Sequence, residues 1–264
     1  MESKDLFKGT AEYYSKYRLP YPKSLILWLA RKARAKNKSA RLLDIGCGTG
    51  QIVIPLSRYF GEVVAVDLDR GMLREGRRQA KLKKIRNIVW INAAAEGLSP
   101  KLGKFDLIAI GSAFHWMDRK KVLEFAHCIL NPGGVLAIVG GNSWWEDKEL
   151  WKKKIFEVIK KYLGPKRRAG KKGYFAAPED SFEKLIKKAG FGKVEEKKFR
   201  ANHIWTIQEI IGLMYSSSFA SKNLLGERAA NFEKDLANSL CKLNPRGRFA
   251  EKISYYALTA QKTK

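Results

Sequence analysis

The chain predicts an α/β protein built on a mostly parallel sheet with helices on both faces, and three observations carry that expectation. The stretch Arg41-Leu-Leu-Asp-Ile-Gly-Cys-Gly-Thr-Gly50 is an apolar strand that ends in a carboxylate and runs directly into three alternating glycines. Short apolar runs then alternate with amphipathic segments, punctuated by glycine, as strand and crossover-helix units do. Phe105-Asp-Leu-Ile-Ala-Ile110 is nearly all apolar, which suits a strand buried on both faces.

Taken in order, Arg41–Ile45 is the first strand, followed by a helix over Gln51–Tyr59 and a second strand, Glu62–Val66, that ends at Asp67. Met72–Lys83 reads as a strongly basic helix, Asn87–Asn92 as the third strand and Phe105–Ile110 as the fourth. Arg119–Leu130 has helical spacing and stops at Asn131-Pro-Gly-Gly134, a terminator before a fifth strand, Val135–Val139. Beyond this the pattern is less regular. An amphipathic helix is expected around Leu25–Lys32, and a helical insertion over Trp144–Lys172 that ends in a flexible basic loop. Helices over Pro178–Ala189, Ile207–Met214 and Glu227–Leu243 and strands over Val194–Arg200 and Phe249–Ala260 complete a seven-stranded sheet. The expected organisation is a single domain. Its core covers about 39–143, 178–200 and 247–264, and its lid comes from 1–38, 144–177 and 201–246.

At 264 residues and 45% hydrophobic the chain is long enough to bury a substantial core. Its longest apolar run near the start, Leu25–Ala30, is too short for a bilayer span or a signal-peptide core, so a soluble, cytoplasmic protein without a membrane partner is expected. Cys47, Cys128 and Cys241 form no C-x-x-C pair and the histidines do not cluster, so neither a disulfide framework nor a metal is expected. Charge is the unusual feature: 52 Lys and Arg against 26 Asp and Glu give a formal +26. Such a field attracts polyanions. The basic residues gather at Arg31–Arg41, Arg74–Arg86, Lys152–Lys154 and Lys160–Lys172. They read either as solvated helix faces or as a surface for RNA or an anionic substrate. Nothing in the sequence sets an oligomeric state.

Gly46, Gly48 and Gly50 can take backbone angles closed to other residues and leave no Cβ between the chain and a ligand. The dinucleotide fingerprint G-x-G-x-x-G would need glycine at position 51, where Gln51 stands, so a pyrophosphate site is the weaker reading. The spacing from Asp44 to Gly50 instead resembles motif I of the class I S-adenosylmethionine-dependent methyltransferases, D-x-G-x-G-x-G. That resemblance implies a Rossmann-like, seven-stranded sheet and S-adenosyl-L-methionine as cofactor. It assigns Asp44, Gly46, Cys47, Gly48 and Gly50 to the cofactor loop, Asp67 to the ribose and Leu68 to the adenine. Asp67 lies directly after Val63-Val-Ala-Val66, where a carboxylate can accept both ribose hydroxyls. Ala93-Ala-Ala-Glu96 resembles the family's loop after the third strand, which implies backbone at Ala95 and the Glu96 side chain at the adenine's amino edge. Cys47 suits a small packing residue better than a nucleophile.

The fourth strand ends in Gly111-Ser-Ala-Phe-His-Trp-Met-Asp118, where Ser112 and Ala113 are expected against the cofactor and His115 and Trp116 against the acceptor, or in ordinary packing. This segment, Tyr14-x-x-x-Arg18-x-Pro20-Tyr21-Pro22, Trp205-Thr-Ile-Gln-Glu and Ser216-Ser-Ser-Phe219 resemble the small-molecule methyltransferases of the trans-aconitate methyltransferase-like, type 11 group. In that group the N-terminal arm closes over the cofactor, which implies Tyr14 and Arg18 at the methionine carboxylate or an acidic substrate. Trp116, Trp144, Trp145 and Tyr174 would build a dry lid over the substrate. The fourth strand lacks the Asn-Pro-Pro-Tyr or Asp-Pro-Pro-Tyr signature of amino-methylating nucleic acid enzymes. The expected activity is methyl transfer to a small molecule, with carboxylic acids as one acceptor class. The alternatives are an RNA methyltransferase using the basic surface and a non-catalytic cofactor-binding protein. A hydroxyl or amine acceptor must lose a proton, and His115 is the candidate general base.

Overall fold

A computed structural model describes residues 7–35, 39–141, 149–166 and 180–263. In chain order its elements are α1 (Ala11–Tyr17), α2 (Lys23–Lys32), β1 (Arg41–Ile45), α3 (Val53–Leu56), β2 (Glu62–Asp67), α4 (Arg70–Leu82), β3 (Ile88–Asn92), β4 (Phe105–Gly111), α5 (Arg119–Ile129), β5 (Leu130–Gly141), α6 (Leu150–Leu163), α7 (Phe182–Lys188), β6 (Val194–Thr206), α8 (Ile207–Tyr215), α9 (Lys222–Leu225), α10 (Ala229–Leu243) and β7 (Arg248–Gln261). The seven strands lie in the order β3-β2-β1-β4-β5-β7-β6. Strands β1 to β5 pair in parallel, and β7 runs antiparallel to β5. Strand order reverses between β1 and β4, and in an open α/β sheet a ligand binds at the carboxyl ends beside that reversal.

The chain forms two compact units. One comprises Pro20–Gly141, Ala176–Phe199 and Tyr255–Lys264, the other Met1–Leu19, Asn142–Phe175 and Arg200–Ser254. The first holds the parallel sheet. Its central strands β1 and β4 read RLLDI and FDLIAIG and are buried almost throughout, because helices cover both faces. On one face Leu43, Ile45, Ile108 and Ile110 pack with Val122, Leu123, Ala126 and Ile129 of α5 and Ile186 of α7. The second unit has its own core, in which Ile155 and Ile159 of α6, Ile210 and Met214 of α8, and Phe232, Leu236 and Leu240 of α10 come together. In α8, Gly212 is required by close approach, since a Cβ there would lie 2.3 Å from the Tyr17 ring of α1.

Several sequence expectations are corrected. The helix expected over Gln51–Tyr59 is only the four residues of α3 and a 3₁₀ turn, Ser57–Tyr59. The Ser57 hydroxyl bonds back to the Ile54 carbonyl at 2.8 Å, and Phe60 turns to extended backbone. Asn131-Pro-Gly-Gly134 does not separate helix from strand, because β5 already begins at Leu130. The register passes from Phe105↔Leu130 to Leu107↔Val135, so these residues form a bulge, with Gly133 at φ +75. Residues 20–35, expected in the lid, belong to the sheet unit. Lys152, placed by sequence in an exposed basic cluster, is only 1% exposed. Its Nζ donates to Glu251 Oε1 at 2.6 Å, and Glu251 Oε2 accepts the Trp205 indole N–H at 2.6 Å. Among the described residues no helix is long and apolar enough to cross a membrane, and no group of three or more His, Cys, Asp or Glu could hold a metal ion.

Candidate cofactor and acceptor site

The site is assembled at the carboxyl ends of β1 to β4 in the sheet unit. Strand β1 delivers Asp44 to a position 1% exposed, where Oδ1 has no hydrogen-bond partner among the described residues. Burial, and then the charge of Asp67, hold the Asp44 carboxyl well above the usual carboxylate range. The loop that follows turns on Gly46 at φ +73 and Gly50 at φ +92. A Cβ on Gly46 would lie 2.6 Å from the Ala113 Cβ and 2.9 Å from the Met117 methyl, so only glycine lets the loop pass under the end of β4. The Gly46 and Cys47 amides both donate to the Val66 carbonyl, at 2.8 and 2.9 Å, fixing the loop to β2.

Asp67 ties the two strand ends together. Its Oδ2 accepts the Gly48 amide and its Oδ1 the Asp69 amide, each at 2.8 Å. Burial raises its pKa, while these backbone donors pull the other way. Each oxygen keeps a second lone pair, so the carboxylate can still accept hydroxyl donors. Asp69 in turn caps α4 through the Met72 amide at 2.9 Å. Leu68, between them, is 51% exposed, an apolar side chain beside a polar cradle. Cys47 is buried, and burial first, then Asp67 and Asp44, push its thiol up, so it is a neutral packing group rather than a thiolate.

Ala95 is buried against the core at the start of a 3₁₀ turn. Glu96 is exposed, and its Oε1 accepts the Asp118 amide at 2.7 Å, which latches the β3 loop to the start of α5. At the end of β4, Ser112 adopts φ +53, a left-handed conformation that costs on the order of 1 kcal/mol for a non-glycine residue. Two bonds hold it there, its amide to the Val139 carbonyl at 2.8 Å and its hydroxyl with the Tyr21 hydroxyl at 3.0 Å. The turn sends Phe114 into the core and leaves His115 and Trp116 half-buried in a 3₁₀ turn, their ring centroids 5.0 Å apart.

Thus Asp44, Gly46, Cys47, Gly48, Gly50, Asp67, Leu68, Ala95, Glu96, Ser112, Ala113, His115 and Trp116 share one end of the sheet. Tyr14 and Arg18 belong to the helical unit. There the Arg18 guanidinium stacks 5.0 Å from the Tyr14 ring and its Nε donates to the Ser216 hydroxyl at 2.9 Å. Trp144, Trp145 and Tyr174 lie outside the described residues. Sequence reasoning missed Tyr21 and Met117 as site neighbours. A tyrosine between two prolines, whose φ values are fixed, was the available signal for Tyr21; Met117 carried none.

The strand order, the D-x-G-x-G-x-G turn after β1 and the acid ending β2 are those of a class I S-adenosylmethionine-dependent methyltransferase fold. Residues 42–134 match the family described as "Methyltransferase domain". An uncharacterized methyltransferase of Schizosaccharomyces pombe is 24% identical over 96% of this chain and 94% of its own. UbiE, the ubiquinone/menaquinone biosynthesis C-methyltransferase of Wigglesworthia glossinidia brevipalpis, is 33% identical over 49% of this chain and 53% of its own. The malonyl-[acyl-carrier protein] O-methyltransferase of Enterobacter lignolyticus is 33% identical over 44% and 45%. The aligned stretch therefore spans about half the length of these last two relatives. Among solved structures, Haemonchus contortus phosphoethanolamine N-methyltransferase 2 in complex with S-adenosyl-L-methionine shares the fold, with TM-score 0.55, 16% identity and coverage of 99% of this chain and 57% of that one. The chain thus carries a methyltransferase domain over residues 42–134, and its fold and its relatives point to S-adenosylmethionine as the cofactor.

Proposed function

We propose that this protein transfers the methyl group of S-adenosylmethionine to a small-molecule acceptor, with a carboxylic acid as the favoured class. The observation that carries the reading is the held turn at Ser112, which sets Ala113 against the glycine loop and presents His115 and Trp116 beside it. The residues suit the cofactor on their own chemistry. Asp44 offers a buried Oδ1 acceptor without a partner among the described residues, Gly46 a backbone surface without a Cβ, Asp67 a carboxylate for hydroxyls and Leu68 an exposed apolar contact.

The cofactor supplies an already electrophilic methyl on a sulfonium centre, so the protein's task is alignment and exclusion of water. A carboxylate acceptor needs no proton removed. For a hydroxyl or amine, the His115 imidazole would take the proton as general base. In the helical unit, the Arg18 fork is a group suited to a carboxylate, and among the described residues its one hydrogen bond is from Nε to Ser216. The O-methyltransferase relative, which by name acts on a malonyl group, supports an acid as acceptor.

The test is incubation with methyl-labelled S-adenosylmethionine and, separately, the small-molecule and RNA fractions of the host's own extract. Label in the small-molecule fraction supports the proposal, and mass spectrometry then identifies the acceptor. Label in RNA, or in neither fraction, overturns it.

A further inference from the structure

We propose that the sheet edge opposite the glycine loop docks the phosphate backbone of a single-stranded RNA. Strand β1 separates the two ends by five residues, about 17 Å at the rise of an extended strand, so RNA bound there is held apart from the methyl-transfer site. This inference does not depend on the acceptor's identity.

The amino ends of the parallel strands carry cations from several loops. Arg34 follows α2, Arg58 lies in the turn before β2, and Lys83, Lys84 and Arg86 connect α4 to β3. Arg34, Arg58, Lys83, Lys84 and Arg86 are exposed, and none has an ion pair among the described residues. The loops are strapped together. The Asn87 amide donates to the Ser57 and Phe60 carbonyls at 2.9 Å each, which joins the Arg86 loop to the Arg58 turn. The Gly61 amide bonds to the Ala40 carbonyl at 2.9 Å, extending the strip toward β1. Acids at this edge are already spent: Glu62 on Arg41 at 2.8 Å, Glu195 on Lys32, and Asp106 on the Arg41 amide and the Asn131 side chain. The remaining positive charge has no ion-pair partner among the described residues.

A second feature singles out this edge. Helices α2 and α4 end in the same motif, with Ala35 N bonded to Ala30 O and Ile85 N bonded to Ala80 O, and the left-handed position falls on Arg34 (φ +50) and Lys84 (φ +56). Glycine is the residue that fits there without strain. A cation beside a helix C-terminus returns about 0.3–1 kcal/mol, against a backbone cost on the order of 1 kcal/mol, so folding stability does not explain the choice. Two cations placed this way at one sheet edge suit a phosphate ligand. The arginines add forked donors that match phosphate oxygens.

The experiment measures binding of a short fluorescent single-stranded RNA of mixed sequence by anisotropy across salt concentrations. It compares the wild type, an edge triple (Lys83→Ser, Lys84→Gly, Arg86→Ser) and a charge-matched control triple (Lys23→Ser, Lys234→Ser, Lys242→Ser). Lys84→Gly removes charge where glycine is favoured, and calorimetric titration with S-adenosylhomocysteine checks that each variant keeps a folded cofactor site. At about 0.1 M salt the edge triple should bind at least tenfold more weakly, and its slope of log affinity against log salt should fall by about two, three charges at ~0.7 each. The control should bind as the wild type does. If the edge triple fails to bind S-adenosylhomocysteine, Arg86→Ser alone is used, with about a third of the slope change expected. Equal loss in both triples, no RNA binding at about 0.1 M salt, or binding to phosphatidylserine vesicles in place of RNA overturns the proposal.

Discussion

Replacing Asp44 with Asn should stabilise the ligand-free protein while weakening its hold on the cofactor. Asp44 Oδ1 is buried without a partner among the described residues, and burial together with Asp67 disfavours its charged form. A buried polar group left unpaired costs about 1–3 kcal/mol, more when charged, so removing the charge at constant shape should return about 2 kcal/mol. For a chain of this size that is about 4–8 °C in Tm. The sign follows from the direction of the shift. A folded-state pKa raised above the unfolded value contributes stability that is present at pH below the ordinary carboxylate range and lost as pH rises through the raised value. The wild type therefore loses stability across that window and the variant does not. Their melting curves should coincide near pH 4 and separate near pH 8. With ligand the order should reverse, because a cationic group of the cofactor would pair with the carboxylate and not with the amide. Affinity for S-adenosylmethionine should drop about 100-fold, or ~2.7 kcal/mol. Thermal melts at both pH values, with and without S-adenosylhomocysteine, check both halves. A variant that melts below the wild type at pH 8, or that binds the cofactor within threefold of it, refutes the account of Asp44 as an unpaired carboxylate awaiting a ligand.

Three further outcomes are expected. His115→Ala should lower turnover about 100-fold on a hydroxyl or amine acceptor and leave cofactor affinity unchanged; full turnover would make His115 a packing residue. Gly46→Ala places a Cβ 2.6 Å from Ala113 at φ +73 and should cost about 2–3 kcal/mol in chemical denaturation as well as cofactor binding. Lys152→Met strips Glu251 of its buried cation and should cost about 3–5 kcal/mol, whereas Lys152→Met with Glu251→Leu should cost much less than the sum of the single changes, a coupling read from denaturant midpoints.

The strands and the glycine loop were legible because each rests on short-range chemistry. Apolar runs such as RLLDI and FDLIAIG can be satisfied only by a covered strand, and the glycines mark a backbone that other residues strain to adopt. What stayed hidden depends on contacts distant in sequence. Ser112 takes its left-handed turn because Tyr21, 91 positions earlier, and the Val139 carbonyl hold it. The bulge at residues 131–134 exists because Phe105 and Leu107 set the register of β5 from the neighbouring strand. α1 is too short at seven residues to show a period, and it packs on α8, nearly two hundred residues downstream.

Charge shows the same division most sharply. A net +26 says nothing about which cations are already answered within the fold, and every lysine in the sequence counts alike. The structure sorts them. Lys152 is neutralised in a core by Glu251, Arg41 is held by Glu62 and by the Leu102 and Lys104 carbonyls, and Lys32 is held by Glu195. Those cations are part of how the protein stands up, and they contribute little field at the surface. Arg58, Lys84 and Arg86 have no such partner among the described residues, and Lys84 occupies a backbone position better suited to glycine. Exposed like charges that repel one another weaken a fold, so a polyanion bound at this edge would relieve a repulsion the chain itself leaves in place.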